Sequence, residues 1–178
     1  MPNINLDPLA LNEGYPPVEK WSPPFCGDMD LVIKANGDWV HEGGLIKREK
    51  MVTLFSRILW REGDDYFLVT PGEKVRIRVE DAPFQVTQYE WQTDGEGKQV
   101  LQLLTRTNDV LRLGEGCELK LFEKDGESWP YVSVRHGMWA SLHRNVFYQL
   151  VNEANMVDGM LCLESAGKQH VLGELTED

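Results

Sequence analysis

Positive charge at the start of a helix needs a chemical reason, and this sequence places it there twice. Arg48 and Arg144 each fall in the first turn of a segment with helical period. The free N–H groups of a helix N-terminus carry partial positive charge, so a cation there is mildly unfavourable unless a carboxylate or a bound anion joins it. The competing reading is an arginine that reaches into water or makes an ordinary surface pair. A second concentration of charge runs from Thr70-Pro71-Gly72-Glu73-Lys74 into Arg76, Arg78, Glu80 and Asp81. On an open face this is a solvated strand edge. Facing the other half of the molecule, the same charges would need partners, which a polar ligand could supply. Arg135 stands beside Tyr131 and Ser133. An arginine with a nearby tyrosine can clamp a phosphate or stack on a base, or it can pair with Glu80 or Asp81 and pack on an aromatic ring.

Other chemistries find less support. The four histidines, His41, His136, His143 and His170, form no HxH, HxxxH or HExxH, so no metal site is expected. Gly72-Glu73-Lys74 resembles a fragment of a phosphate loop, but it lacks the earlier glycine and the hydroxyl residue after Lys74, and it joins two strands. There is no GxSxG and no GxGxxG. No cofactor is implied, and no nucleophile or metal set accompanies the carboxylates, so binding is expected rather than catalysis. A hydrolase using Glu73 or Asp81 as base ranks last.

The elements that must position these residues are mostly strands. Residues 31–34 and 39–42 flank Asn36-Gly37, a strong hairpin signal. Residues 66–70 form a short apolar strand. Residues 75–80 alternate, with Val75, Ile77 and Val79 on one face and Arg76, Arg78 and Glu80 on the other. Further hairpins join 84–91 to 99–106, 117–124 to 130–135, and 159–164 to 169–173. Two stretches instead have helical period: Met51, Leu54, Phe55, Ile58 and Leu59, and then Leu142, Val146, Phe147, Leu150, Val151 and Ala154. Each is too short to be stable alone and must lie on a sheet. Two helices among about ten strands make an α+β protein.

The helices sit in matching surroundings. Gly37-x-Trp39 precedes the first and Gly137-x-Trp139 the second, each followed by an arginine, a helix, an acidic turn and two strands around a glycine turn. The order implies a duplicated unit, and an interface between repeats is a natural place for a cleft. The expected organisation is a proline-rich arm (1–27), an N-terminal α+β half (28–83), a C-terminal α+β half (84–173) and an acidic tail (174–178). The arm holds six of the nine prolines and should be extended, pinned to the body by Trp21, Phe25 and Cys26.

Composition narrows the partners. A net charge of -11 disfavours nucleic-acid polymers and anionic membrane surfaces. Three scattered cysteines suggest free thiols in a reducing compartment. With no signal peptide and no long apolar run in the sequence, a cytoplasmic location is expected.

Several strings together resemble a bacterial family catalogued only as domain of unknown function 1285. They are Trp21-Ser22-Pro23-Pro24-Phe25-Cys26-Gly27, Gly37-x-Trp39-x-x-x-Gly43, Leu68-Val69-Thr70-Pro71-x-Glu73-Lys74 and Val79-Glu80-Asp81-Ala82-Pro83-Phe84, with Pro130-Tyr131, Arg135-x-Gly137 and Arg144-x-x-Phe147 later. Leu45 departs from the family's usual proline, and Gly72 from its frequent aliphatic residue. The resemblance implies a duplicated core, a C-terminal half superficially like a pleckstrin-homology domain, and motif residues gathered where the halves meet. It also implies a pocket there for a nucleotide-like ligand, with a role in signal transduction. On that reading Arg48, Arg135 and Arg144 neutralise an anionic group. Glu73, Glu80 and Asp81 orient those arginines or accept from a base or sugar, Tyr131 stacks, and Thr70, Lys74 and Arg76 complete the expected ligand-binding set. The alternative is a protein-interaction module without a small ligand, in which the charged strand is an exposed edge and the arm a contact surface; its protein partner would be unknown.

Overall fold

The computed structural model describes residues 15–174. The first part of the arm and residues 175–178 of the acidic tail lie outside them. The chain divides into two compact units, at Asp81 and Ala82.

In the first unit, strands β1 (Phe25–Ile33), β2 (Trp39–His41) and β3 (Gly44–Leu45) precede helix α1 (Glu49–Ser56), and β4 (Leu59–Glu62), β5 (Asp65–Val69) and β6 (Lys74–Val79) follow it. They form one six-stranded sheet in the order β3-β2-β1-β6-β5-β4, with β1 and β6 parallel. The period of two along β6 holds: Val75 and Ile77 are buried, while Arg76 and Arg78 point away from the core. Leu31, Ile33, Leu59 and Leu68 join them in the core, with Val52 and Phe55 of α1. Trp39 stacks on Phe55 with ring centroids 6.4 Å apart.

Three expectations about this unit need correction. The charged strand β6 is not a sheet edge; it lies between β1 and β5, and only its outer face meets water. The first helix is shorter than its apolar stripe suggests. Arg57 and Ile58 donate to the carbonyls of Leu54 and Phe55 in a tight last turn, so Leu59 already belongs to β4; at the other end, Met51 is exposed. The arm is not wholly extended, because Val18–Lys20 form a 3₁₀ turn. Val18 is the pin, 2% exposed against Phe67 and Val69 with Trp21 and Trp60 packed beside it, whereas Phe25 and Cys26 are exposed residues of β1.

The second unit opens with β7 (Phe84–Thr93), β8 (Gln99–Thr105) and β9 (Val110–Arg112), continues with β10 (Leu119–Lys124), β11 (Glu127–Ser133) and β12 (Trp139–Leu142), and reaches helix α2 (Arg144–Glu153). The last three strands are β13 (Asn155–Val157), β14 (Met160–Ser165) and β15 (Lys168–Glu174). One sheet has the order β10-β11-β12-β7-β8-β9, with β12 and β7 parallel, and β13-β14-β15 form another. Helix α2 lies on β7 and β14, burying Val146 and Leu150. Ser165 ties the two sheets: its buried hydroxyl accepts from the Leu101 N–H (2.8 Å) and donates to the Leu113 carbonyl (2.7 Å).

The fold is α+β, and its plan is duplicated. Lys34 N–H donates to the Asp38 carbonyl at 2.7 Å, and Val134 N–H donates to the Met138 carbonyl at 3.0 Å, one hundred positions on. Gly37 and Gly137 take positive φ, 91° and 72°, in these two turns. Each turn leads into a strand that begins with tryptophan, then a helix, then a three-stranded antiparallel meander. The repeats differ in what the meander joins. In the first unit it enters the main sheet through β6; in the second it stays apart.

Candidate functional site

Of the ten candidate residues, seven lie in the first unit (Arg48, Thr70, Glu73, Lys74, Arg76, Glu80, Asp81) and three in the second (Tyr131, Arg135, Arg144). The turn between β5 and β6 holds the densest group. Thr70 is 5% exposed; its N–H donates to the Glu73 carbonyl (2.8 Å), and its hydroxyl accepts from the Glu73 N–H (3.1 Å). These bonds close the turn and fix where the Glu73 side chain leaves the backbone. Glu73 Oε2 is buried and has no hydrogen-bond partner among the described residues.

The neighbouring charges are satisfied. Lys74 Nζ donates to Glu62 at 2.8 Å and lies 4.6 Å from the centre of the Phe67 ring. That bond holds the Glu62 carboxyl below the usual carboxylate range, and Trp60 Nε1 donates to the same oxygen at 3.3 Å. Arg76 makes a forked pair with Asp28, 2.6 and 3.2 Å, which lowers the Asp28 pKa. Arg78 pairs with Asp30 at 2.6 Å. Parallel β1 and β6 thus carry a two-rung ladder of Asp28–Arg76 and Asp30–Arg78 in an open depression beside Asp65 and Tyr66. Burial, first, then the field of Asp64 and Asp81 against that of Arg61 pushes the Tyr66 phenol up. Glu80 pairs with Lys34 at 3.1 Å and accepts from the Ala35 N–H at 2.9 Å, so it closes the β1–β2 turn.

The three arginines have different fates. Arg135 pairs with Asp109 at 2.5 Å. Asp109 is 1% exposed and accepts from the hydroxyls of Thr105 and Thr107, both at 2.6 Å, while Arg135 lies 4.8 Å above the Phe84 ring. Its charge is neutralised inside its own unit. Arg48 is the N-cap residue of α1 and makes no side-chain capping bond; Arg144 is the first residue of α2, behind an N-cap filled by His143 Nδ1, which accepts from the Asn145 N–H. Both are exposed, and neither forms an ion pair among the described residues. Tyr131 is 8% exposed and edge-on to Phe122 at 5.5 Å, so the described structure uses its ring for packing.

Asp109 and the pair Asp28 and Asp30 escaped the sequence reading. Asp-x-Asp in β1 against Arg-x-Arg in β6 was the available signal, but it needs the parallel register to be known. For Asp109 the hint was the Thr105-x-Thr107-x-Asp109 spacing.

Among the described residues no group of three or more His, Cys, Asp or Glu could hold a metal ion, and no helix is long and apolar enough to cross a membrane. No curated protein matches the chain. A DUF1285 family protein of Silicibacter pomeroyi DSS-3 has a similar crystal structure, with a TM-score of 0.81 and 42% identity over 92% of this chain and 90% of that one. A DUF1285 family protein of Shewanella baltica OS155 has a TM-score of 0.57 and 31% identity over 71% of this chain and 94% of that one. Residues 16–82 match the N-terminal domain of unknown function DUF1285, and residues 83–172 match the C-terminal domain of the same family. With the duplicated plan and the Thr70–Lys74 turn in place, the chain belongs to the DUF1285 family.

Proposed function

We propose that this protein binds a small polar ligand in a signalling role, and that the Thr70–Lys74 turn supplies the central contact. One observation carries the reading: Glu73 Oε2 is buried with no donor among the described residues. Leaving such a group unsatisfied costs about 1–3 kcal/mol, more if it is charged. A fold that keeps this cost in a tightly bonded turn is preorganised for a partner that brings an N–H or O–H. The exocyclic amine of a base and a ribose hydroxyl are such donors, which suits a nucleotide-like ligand. Arg48, in the same unit, exposed and without an ion pair among the described residues, is the cation suited to its phosphate. Arg135 is less suited because Asp109 already neutralises it.

Isothermal titration calorimetry with mononucleotides and cyclic or dinucleotide second messengers tests this. Saturable binding by at least one compound is expected, weakened about tenfold by Arg48→Ala. Absence of binding across the panel at millimolar concentration contradicts it.

A further inference from the structure

Helix α2 has an unusual solvent face. Between Arg144 and Glu153 its residues Asn145–Asn152 include no charged side chain, although 26% of the whole sequence is charged. Its exposed positions instead carry the amides Asn145, Gln149 and Asn152, together with Tyr148. Asparagine is a poor helix former, so these choices are not explained by helix stability. A helix face selected only for solvation favours Lys and Glu, which α1 has in Glu49 and Lys50.

The amides border a depression of about 890 Å³ whose other wall is β7. That wall presents Gln88, Tyr89 and Trp91. Both aromatic residues are half-buried. Register places Tyr89 opposite Leu103 and Trp91 opposite Leu101, so both rings lie on the apolar side of the strand where it runs beyond the core. Glu153, at the end of α2, accepts from Trp91 Nε1 at 2.9 Å, and burial, then the nearby Glu153 carboxylate, push the Tyr89 phenol up. The indole is therefore held by its polar edge. Trp91 and Glu153 also border an adjoining hollow with Lys98, Gln99 and Asn155.

We infer that this groove between α2 and β7 is a binding site for a neutral pyranose sugar. The C–H face of such a ring packs on an indole, and its hydroxyls both donate and accept, which a neutral amide side chain matches with donor and acceptor at once. Charge agrees: Glu90 and Glu153 border the groove and no cation lines its α2–β7 part, which is hostile to phosphates. A tie that merely docked α2 on β7 would need the Trp91–Glu153 bond and none of the amides Gln88, Asn145, Gln149 and Asn152. The site is independent of the Glu73 reading and lies wholly in the second unit.

The test uses the full chain and ¹H–¹⁵N NMR, with the Trp91 indole N–H assigned by Trp91→Phe. The probes are gluco-, galacto-, manno- and N-acetylglucosamine-configured monosaccharides, their disaccharides, and short oligosaccharides; the first two groups report free sugars and the last a polysaccharide end. At least one should shift the Trp91 indole and the Gln149 and Asn152 side-chain amides saturably, leaving the buried Trp39 unmoved. Gln149→Ala/Asn152→Ala places better helix formers on an exposed face, keeps the fold, and should weaken the response about tenfold. No shift with any sugar, a shift undiminished in the double variant, or a stronger response to nucleotides at these resonances would overturn the inference.

Discussion

Asp109 shows how one residue can redirect a functional reading. A carboxylate 1% exposed survives burial only with donors around it, and here Arg135, Thr105 and Thr107 provide them. Asp109→Ala would leave the arginine half-compensated. We expect a loss of about 3 kcal/mol of stability, read as a lower urea midpoint with unchanged slope. Cysteines give a second check at the same scale. Cys26 is exposed, whereas Cys117 and Cys162 are buried, and burial pushes the Cys117 thiol up to about 11. A thiol reagent should modify one cysteine in the native protein and all three in denaturant. Rapid native modification of a second thiol would contradict the described packing. Glu73 was legible as a candidate from sequence because of its family string. Its orphaned oxygen was not, since burial of a single atom depends on the folded turn.

Among the elements, the contact between the two sheets of the second unit is the most sensitive to side-chain volume. Gly114 has a φ of +89°, and a Cβ there would meet Ala166 Cβ and the Ser165 carbonyl oxygen, each at 2.9 Å. Both the dihedral and the clash act against any other residue. Gly114→Ala should therefore cost about 2 kcal/mol or more, seen in thermal or urea unfolding. A neutral effect would mean that β14 and β15 pack differently. Period-two alternation predicted β6 and its two faces correctly, because burial of one sheet face is written residue by residue. It could not give the position of β6 inside the sheet, which depends on a parallel partner 48 residues away. The short strands β4, β9, β12 and β13 went unread for a related reason: three or four residues contain too little pattern, and pairing alone defines them. The second helix ran close to its periodic segment, because the chain turns at its capped start and at the meander that follows.

For the whole molecule, duplication was readable because a turn that needs glycine and a tryptophan two positions later must recur wherever the same hairpin recurs. The different fate of the two meanders was not readable, since both have similar alternation. On the proposed function, Glu73 is kept for a ligand at the expense of stability. Unfolding of the wild type and Glu73→Met, each with and without the mononucleotide and second-messenger panel, tests it most directly. Without ligand, Glu73→Met should be the more stable protein by about 1 kcal/mol, because it removes an unsatisfied oxygen at nearly constant volume. With the panel, at least one compound should raise the wild-type midpoint and leave that of Glu73→Met unmoved. A less stable Glu73→Met, or a ligand-induced rise of equal size in both proteins, would contradict the account.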